Sequence, residues 1–224
     1  MRSALFACLV ALAPATALSD EPPARHGGHA HGGTRGVERW LPVLEDADRD
    51  VWQRPGEVVE LMAIAPGMTV VDLGAGTGYF LPRLAVAVGE AGRVLALDVD
   101  PELVAFMTDR AARDGLVQVE ARVVAADDPG LETASVDRVL VVNTWHHLPG
   151  RVAYARRLAA GLRTGGAVVV VDLELDAPLG PPRDHRLEAE DVVAELESAG
   201  FAARVADESL PYQYVVIGEL PSTG

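Results

Sequence analysis

From Trp40 onward, short runs rich in β-branched residues alternate with stretches of helical period, and this alternation restricts the chain to a sheet built through crossover helices. The expected strands are Met68–Leu73, Arg93–Asp98, Val117–Val124, Val136–Val142 and Ala167–Leu173, with two more near Ala202–Ala206 and Tyr212–Ile217. Periodicity predicts helices over Glu57–Ala65, Tyr79–Val88, Pro101–Arg113, Arg151–Leu162 and Leu187–Ala199. The implied fold is α/β: three layers, doubly wound, with a mostly parallel sheet covered on both faces. Ligands of such sheets bind beyond the C-terminal strand ends, where the winding reverses. Those ends carry Gly74 to Gly78, Asp98 and Asp100, Asp127 and Asp128, Asn143 with His146 and His147, and Asp172 with Glu174. His185 follows in the next loop, so all three histidines of the domain are expected on the rim that holds the glycines.

The N-terminus reads differently. Arg2, the apolar run Ala4–Ala13 and the Ala15-Thr16-Ala17 end have the form of an export signal, which predicts a signal peptide at 1–17 and a periplasmic mature protein. The run is short and broken by Pro14, so no stable membrane insertion is expected after cleavage. Cys8, the single cysteine, leaves with the signal, so neither a disulfide nor a thiolate metal site is expected. Residues 18–39 shift to Pro, Gly and His, including His26, His29 and His31, and read as a flexible linker ahead of a domain at 40–224.

The 224 residues carry a formal net charge of -14 and contain no lysine. Acidity disfavours a nucleic-acid partner, and the missing amine excludes Schiff-base catalysis and a Walker-type phosphate site.

Val70-Val71-Asp72-Leu73-Gly74-Ala75-Gly76-Thr77-Gly78 runs from a strand into a helix, where glycines let a nucleotide approach the backbone. The dinucleotide fingerprint needs a small residue where this chain has Tyr79, so NAD is disfavoured. A carboxylate at Asp72 repels phosphates and attracts a sulfonium or ammonium group. Asp98, ending the second strand, is placed to accept both ribose hydroxyls, while Asp100 is better placed to cap the helix at Pro101.

With these segments, the Asp127-Asp128 turn before Ser135-Val136-Asp137, and Leu162-Arg163-Thr164-Gly165-Gly166, the chain resembles the class I methyltransferases over Glu57–Leu173. The resemblance implies a seven-stranded sheet with its last strand antiparallel, and S-adenosylmethionine as cofactor. It also implies that Asp72 and the glycines Gly74, Gly76 and Gly78 bind the methionine end, Asp98 the ribose, and Asp127 or Asp128 the adenine amine. Ala75, Tyr79, Val99 and Asn143 complete the expected cofactor-binding set. Thr164 stands where the family usually has Pro, a departure confined to a turn. The chain is further similar to exported bacterial methyltransferase-domain proteins of unestablished substrate. That likeness lies at Arg49–Pro55, His146-His147, Gly180-Pro181-Pro182, His185-Arg186 and Leu210–Tyr214.

Methyl transfer requires a positioned nucleophile and a group to take its proton. His147 and His185 are the candidate bases; His146 reads equally well as a packed histidine. Arg186 is a candidate for an anionic substrate or an ion pair with Glu188 or Glu190. Trp145 and Tyr79 are candidate substrate walls. Asp172, Glu174, His147 and His185 lack tight ligand spacing, so no metal is expected. The expected partner is a small-molecule acceptor. Two alternatives stand beside this reading: a module that holds the cofactor without turnover, and a quinone-type C-methyltransferase.

Overall fold

A computed structural model describes residues 35–221. The expected signal segment and the linker through residue 34 lie outside the described residues. Helix α1 (Arg35–Leu44) takes in the end of the stretch read as linker, because Val37 is buried and the helix packs on α5 (Pro101–Arg113). Helix α2 (Arg49–Gln53) is separated from α3 (Pro55–Leu61) by Arg54, which adopts a left-handed conformation at φ 43° and leaves Pro55 to open α3. Proline is tolerated there because the first helical N–H has no intrahelical partner.

The remaining elements alternate as the sequence indicated. They are β1 (Thr69–Leu73), α4 (Leu81–Val88), β2 (Arg93–Asp98), α5, β3 (Val119–Val123), β4 (Val136–Val142), α6 (Arg151–Gly161), β5 (Leu162–Leu173), α7 (Ala189–Ser198), β6 (Ala202–Val205) and β7 (Gln213–Glu219). The seven strands lie in the order β3-β2-β1-β4-β5-β7-β6. Strands β1 to β5 pair in parallel, and β7 runs antiparallel to both β5 and β6. The winding reverses between β1 and β4, which puts the ligand crevice at their C-terminal ends.

Side chains alternate across the sheet and divide the core in two. Val70, Val94, Ala96, Leu140, Val169 and Val215 face α3, α4 and α5. Val71, Leu95, Val139, Val168 and Val216 face α6 and α7. The same parity sorts the acids: Asp72 and Asp98 turn to the first face, Asp172 to the second beside its ladder partner Tyr214.

Two boundaries differ from the expectation for physical reasons. Helix α4 begins at Leu81, not Tyr79, because the turn that starts at Gly74 continues through Phe80. Strand β5 begins at Leu162, not Ala167, because Leu162 pairs with Val136 before the register shifts toward Arg138. Asp100 caps α5, its Oδ1 accepting from the Glu102 N–H at 2.8 Å.

Candidate cofactor site

The turn after β1 is held by the end of β2. Gly74 and Ala75 both donate their N–H groups to Leu97 O, at 2.8 and 3.0 Å. Asp98 Oδ2 accepts from Gly76 N at 2.9 Å, and its Oδ1 accepts from Asp100 N at 3.0 Å. Burial raises the Asp98 pKa, and these backbone donors oppose the rise. Each oxygen keeps a second lone pair, so Asp98 can receive hydroxyl donors while it clamps the loop. Gly76 has φ 60°, and a Cβ built there lies 3.0 Å from Leu44 Cδ1, so the N-terminal segment closes directly over the glycine turn. Thr77 Oγ1 donates to Glu45 Oε1 at 2.5 Å, and Arg110 of α5 donates to the same oxygen at 2.6 Å.

Asp72 lies beneath this cover. It is 3% exposed, and its Oδ2 has no hydrogen-bond partner. Burial pushes its pKa up to about 7; the Arg49 guanidinium opposes this and Asp98 adds to it. Arg49, from α2, is 7% exposed and stacks its Cζ 3.9 Å from the centre of the Tyr79 ring. Its Nη1 donates to Leu44 O at 2.5 Å and its Nη2 to Gln53 Oε1 at 3.4 Å, while Nε is buried without a partner. Tyr79 hydrogen-bonds Asp50 through its hydroxyl, and burial pushes its phenol well above the usual range. Tyr79 therefore supports Arg49 from within the protein.

A buried polar relay continues from Arg49. Gln53 Nε2 donates to Gln213 Oε1 at 2.6 Å, and Gln213 Nε2 donates to Asn143 Oδ1 at 2.8 Å. Asn143 sits at φ 49° just beyond β4, with its N–H on Val171 O. Sequence reasoning gives no role to Arg49, Gln53 or Gln213. The available signals are the shared segments Arg49–Pro55 and Leu210–Tyr214, which hold all three, and Gln213 as a polar residue before the apolar run Tyr214–Ile217.

The glycine turn, Asp72, Ala75, Tyr79 and Asp98 thus come together, and Asn143 joins them through the relay. Val99 follows β2 in an exposed position. Asp127 and Asp128 occupy an exposed turn after β3, where Asp128 Oδ1 accepts from Gly130 N at 2.8 Å.

The histidines form a second group. His146 donates from Nδ1 to Asp172 Oδ2 at 2.8 Å, and both side chains are buried. The ring of His147 lies 4.0 Å from that of His146. Partial burial holds the His147 pKa below the usual value, with His146 and His185 adding to the effect. His185 is exposed on a short 3-10 turn, Arg183–His185. Among the described residues no three metal-ligating side chains converge.

Two expectations require correction. Trp145 is fully buried in the α6–α7 core, with its Nε1 donating to Glu195 at 2.8 Å, and walls no crevice. Arg186 pairs with neither Glu188 nor Glu190. Its guanidinium donates to the carbonyl oxygens of Glu174, Leu175, Ala177, Leu179 and Pro181, organising the loop before His185. Those main-chain acceptors carry no side-chain signature.

Comparison with known proteins matches residues 70–166 to the family described as "Methyltransferase domain". A solved S-adenosylmethionine-dependent methyltransferase from Aquifex aeolicus superposes with TM-score 0.76 at 27% identity, covering 83% of this chain and 97% of that one. The seven-stranded sheet is that of the class I methyltransferase fold. It is also similar to an arsenite methyltransferase of Halobacterium salinarum, 29% identical over 154 residues, or 63% of this chain and 39% of the relative. A ubiquinone/menaquinone biosynthesis C-methyltransferase of Hydrogenovibrio crunogenus is 25% identical over 167 residues, or 74% of this chain and 63% of the relative. In both cases the match spans less than two thirds of the relative's length. The expected cofactor of such a domain is S-adenosylmethionine. The residues present fit it: a buried carboxylate with an unmet acceptor, beside a glycine turn, suits the cationic end of this cofactor.

Proposed function

We propose that this chain transfers the methyl group of S-adenosylmethionine to a small-molecule acceptor. The observation that carries the reading is the unpaired, buried Asp72 carboxylate next to Gly74–Gly78. The bound cofactor supplies an electrophilic methyl group on a sulfonium. Asp72 receives the cationic amino-acid end, and Asp98 receives the ribose hydroxyls through its free lone pairs. Val99 and the Asp127–Asp128 turn border the adenine, and Asn143 closes the floor beyond β4.

His147 would take the proton from an acceptor held against the methyl group that the sulfonium would supply. Its lowered pKa keeps the imidazole neutral, and so basic, at neutral pH. His185, exposed on its 3-10 turn, is the second candidate, and His146 is held by Asp172. A quinone-type carbon acceptor is a narrower form of the same reading, favoured by the likeness to the Hydrogenovibrio crunogenus enzyme. Export through residues 1–17 also belongs to this proposal. Within residues 35–221, no helix is long and apolar enough to cross a membrane.

Methyl-labelled S-adenosylmethionine incubated with the purified chain and a fractionated small-molecule extract tests the reading. Label should enter an acceptor at a rate that rises with pH and levels off, with its midpoint below the ordinary histidine value. His147→Ala should lower the rate by about a hundredfold or more, the usual contribution of a positioned base. Cofactor binding without label transfer would favour a binding module over an enzyme.

A further inference from the structure

Among the described residues, β3 ends the sheet and is paired on one side only, in parallel with β2. A free edge invites another strand, and chains usually guard it with proline, lysine or a bulge. Residues 117–125 hold no proline, glycine or lysine, and the β2–β3 register runs without a shift. The bonds from Val94 N to Gln118 O and from Val124 N to Asp98 O bracket that ladder. By the parity of a parallel ladder, Glu120 and Arg122 turn their backbone groups to β2, while Ala121 and Val123 turn theirs outward. Beside this edge, Ala111, Leu116, Val117, Val119 and Ala121 line a groove of about 380 Å³ between α5 and the strand. Val117 is 89% exposed and Val123 53%.

The charge pattern of the edge selects its partner. The strand reads Val119-Glu120-Ala121-Arg122-Val123, symmetric about Ala121 in its apolar residues and opposite in charge on the two sides. We propose that β3 pairs antiparallel with the β3 of a second copy of this chain, about a two-fold axis at Ala121, so that two sheets join into one. In that register Ala121 exchanges both backbone bonds with the partner's Ala121, and Val119 lies opposite the partner's Val123. Glu120 and Arg122 fall in the intervening pairs, where side chains approach most closely, so each faces the opposite charge across the axis. Within one chain Arg122 Nε donates to Glu120 Oε1 at 2.5 Å, and both side chains remain more than a third exposed, so they are free to share this bond with a second copy. Val119, Ala121 and Val123 point to the α5 face, so the partner's Val123 enters the groove beside Val119. The far edge strand, β6, carries Arg204 without an acid and offers no such match. The chain's net charge of -14 opposes association at long range, but charges farther apart than about 8 Å are largely screened at physiological ionic strength. A two-fold contact of this kind is closed, so pairing stops at the dimer.

Sedimentation equilibrium of the purified chain at physiological ionic strength tests the proposal. The unaltered chain should populate a dimer that dissociates on dilution. Glu120→Arg and Arg122→Glu should each weaken it at least about tenfold, because both symmetry-related pairs turn from attraction to repulsion. An equimolar mixture of these two variants should dimerise again, since their charges complement one another across the axis, a recovery that misfolding of either variant cannot produce. Ala121→Pro, which removes the central outward N–H and no bond to β2, should be monomeric with an unchanged circular dichroism spectrum. A monomeric unaltered chain would overturn the proposal. So would a dimer indifferent to all three substitutions, or a mixture no more dimeric than its two components.

Discussion

Asp72→Asn is expected to unfold at a higher temperature than the unaltered chain at pH 8, and to bind S-adenosylmethionine at least about tenfold more weakly. The folded-state pKa of Asp72 is raised to about 7 from 3.8 because burial disfavours its charged form. The unfolded chain therefore ionises first. The stability contribution is full below about pH 4, is lost as pH rises to about 7, and stays lost above that. A shift of this size corresponds to at most about 4 kcal/mol. Substitution also removes one of the countercharges around Arg49, which offsets part of the gain and leaves a net on the order of 2 kcal/mol. The difference between the two proteins should shrink at pH 5. Thermal unfolding at the two pH values, paired with cofactor titration, checks both halves. A variant less stable at pH 8 with unimpaired binding would remove Asp72 from the site.

The second large effect is expected at Gln213. Gln213→Met keeps the volume but leaves Gln53 Nε2 without its acceptor and Asn143 Oδ1 without its donor. Gln53 is fully buried, so its released amide cannot reach water, whereas Asn143 is half-buried and relaxes more readily. Two unmet groups at about 1 to 3 kcal/mol each predict a loss of roughly 2 to 4 kcal/mol in denaturant unfolding, allowing for partial relaxation. The double variant Gln53→Met/Gln213→Met should recover part of that loss, because removing both ends of a buried hydrogen bond costs less than removing one. A fully additive double variant would show that the two amides are not coupled.

The fold is largely legible in the sequence because its signals are local. Arg93–Asp98, Val136–Val142 and Pro101–Arg113 fall where the residue pattern places them, the helix marked by Asp100 and Pro101 at its start. The early start of β5 is not legible, since Leu162 joins the sheet by pairing with Val136 across the intervening helix. The same division holds at the site. Asp72, the glycines and Asp98 can be read from a single strand–turn–helix unit and the strand after it. The Gln53–Gln213 contact joins residues 160 positions apart, and no spacing rule reaches that far. Trp145 adjoins the rim residues Asn143 and His146 in the chain, which makes it look like a wall of the crevice. Its side chain instead takes the α6–α7 face and joins the core. His146 is ambiguous in the sequence because its partner, Asp172, lies on another strand.

The central claim is that a buried acid beside the glycine turn receives the cationic end of a sulfonium nucleoside. Calorimetric titration at pH 6.5 with S-adenosylmethionine, in two buffers of different ionisation enthalpy and with NAD as control, tests it most directly. Saturable binding is predicted, with net release of protons to the buffer as Asp72 ionises on meeting the cation, and no binding of NAD. Binding of NAD in place of S-adenosylmethionine, or S-adenosylmethionine binding with the same heat in both buffers, would contradict it.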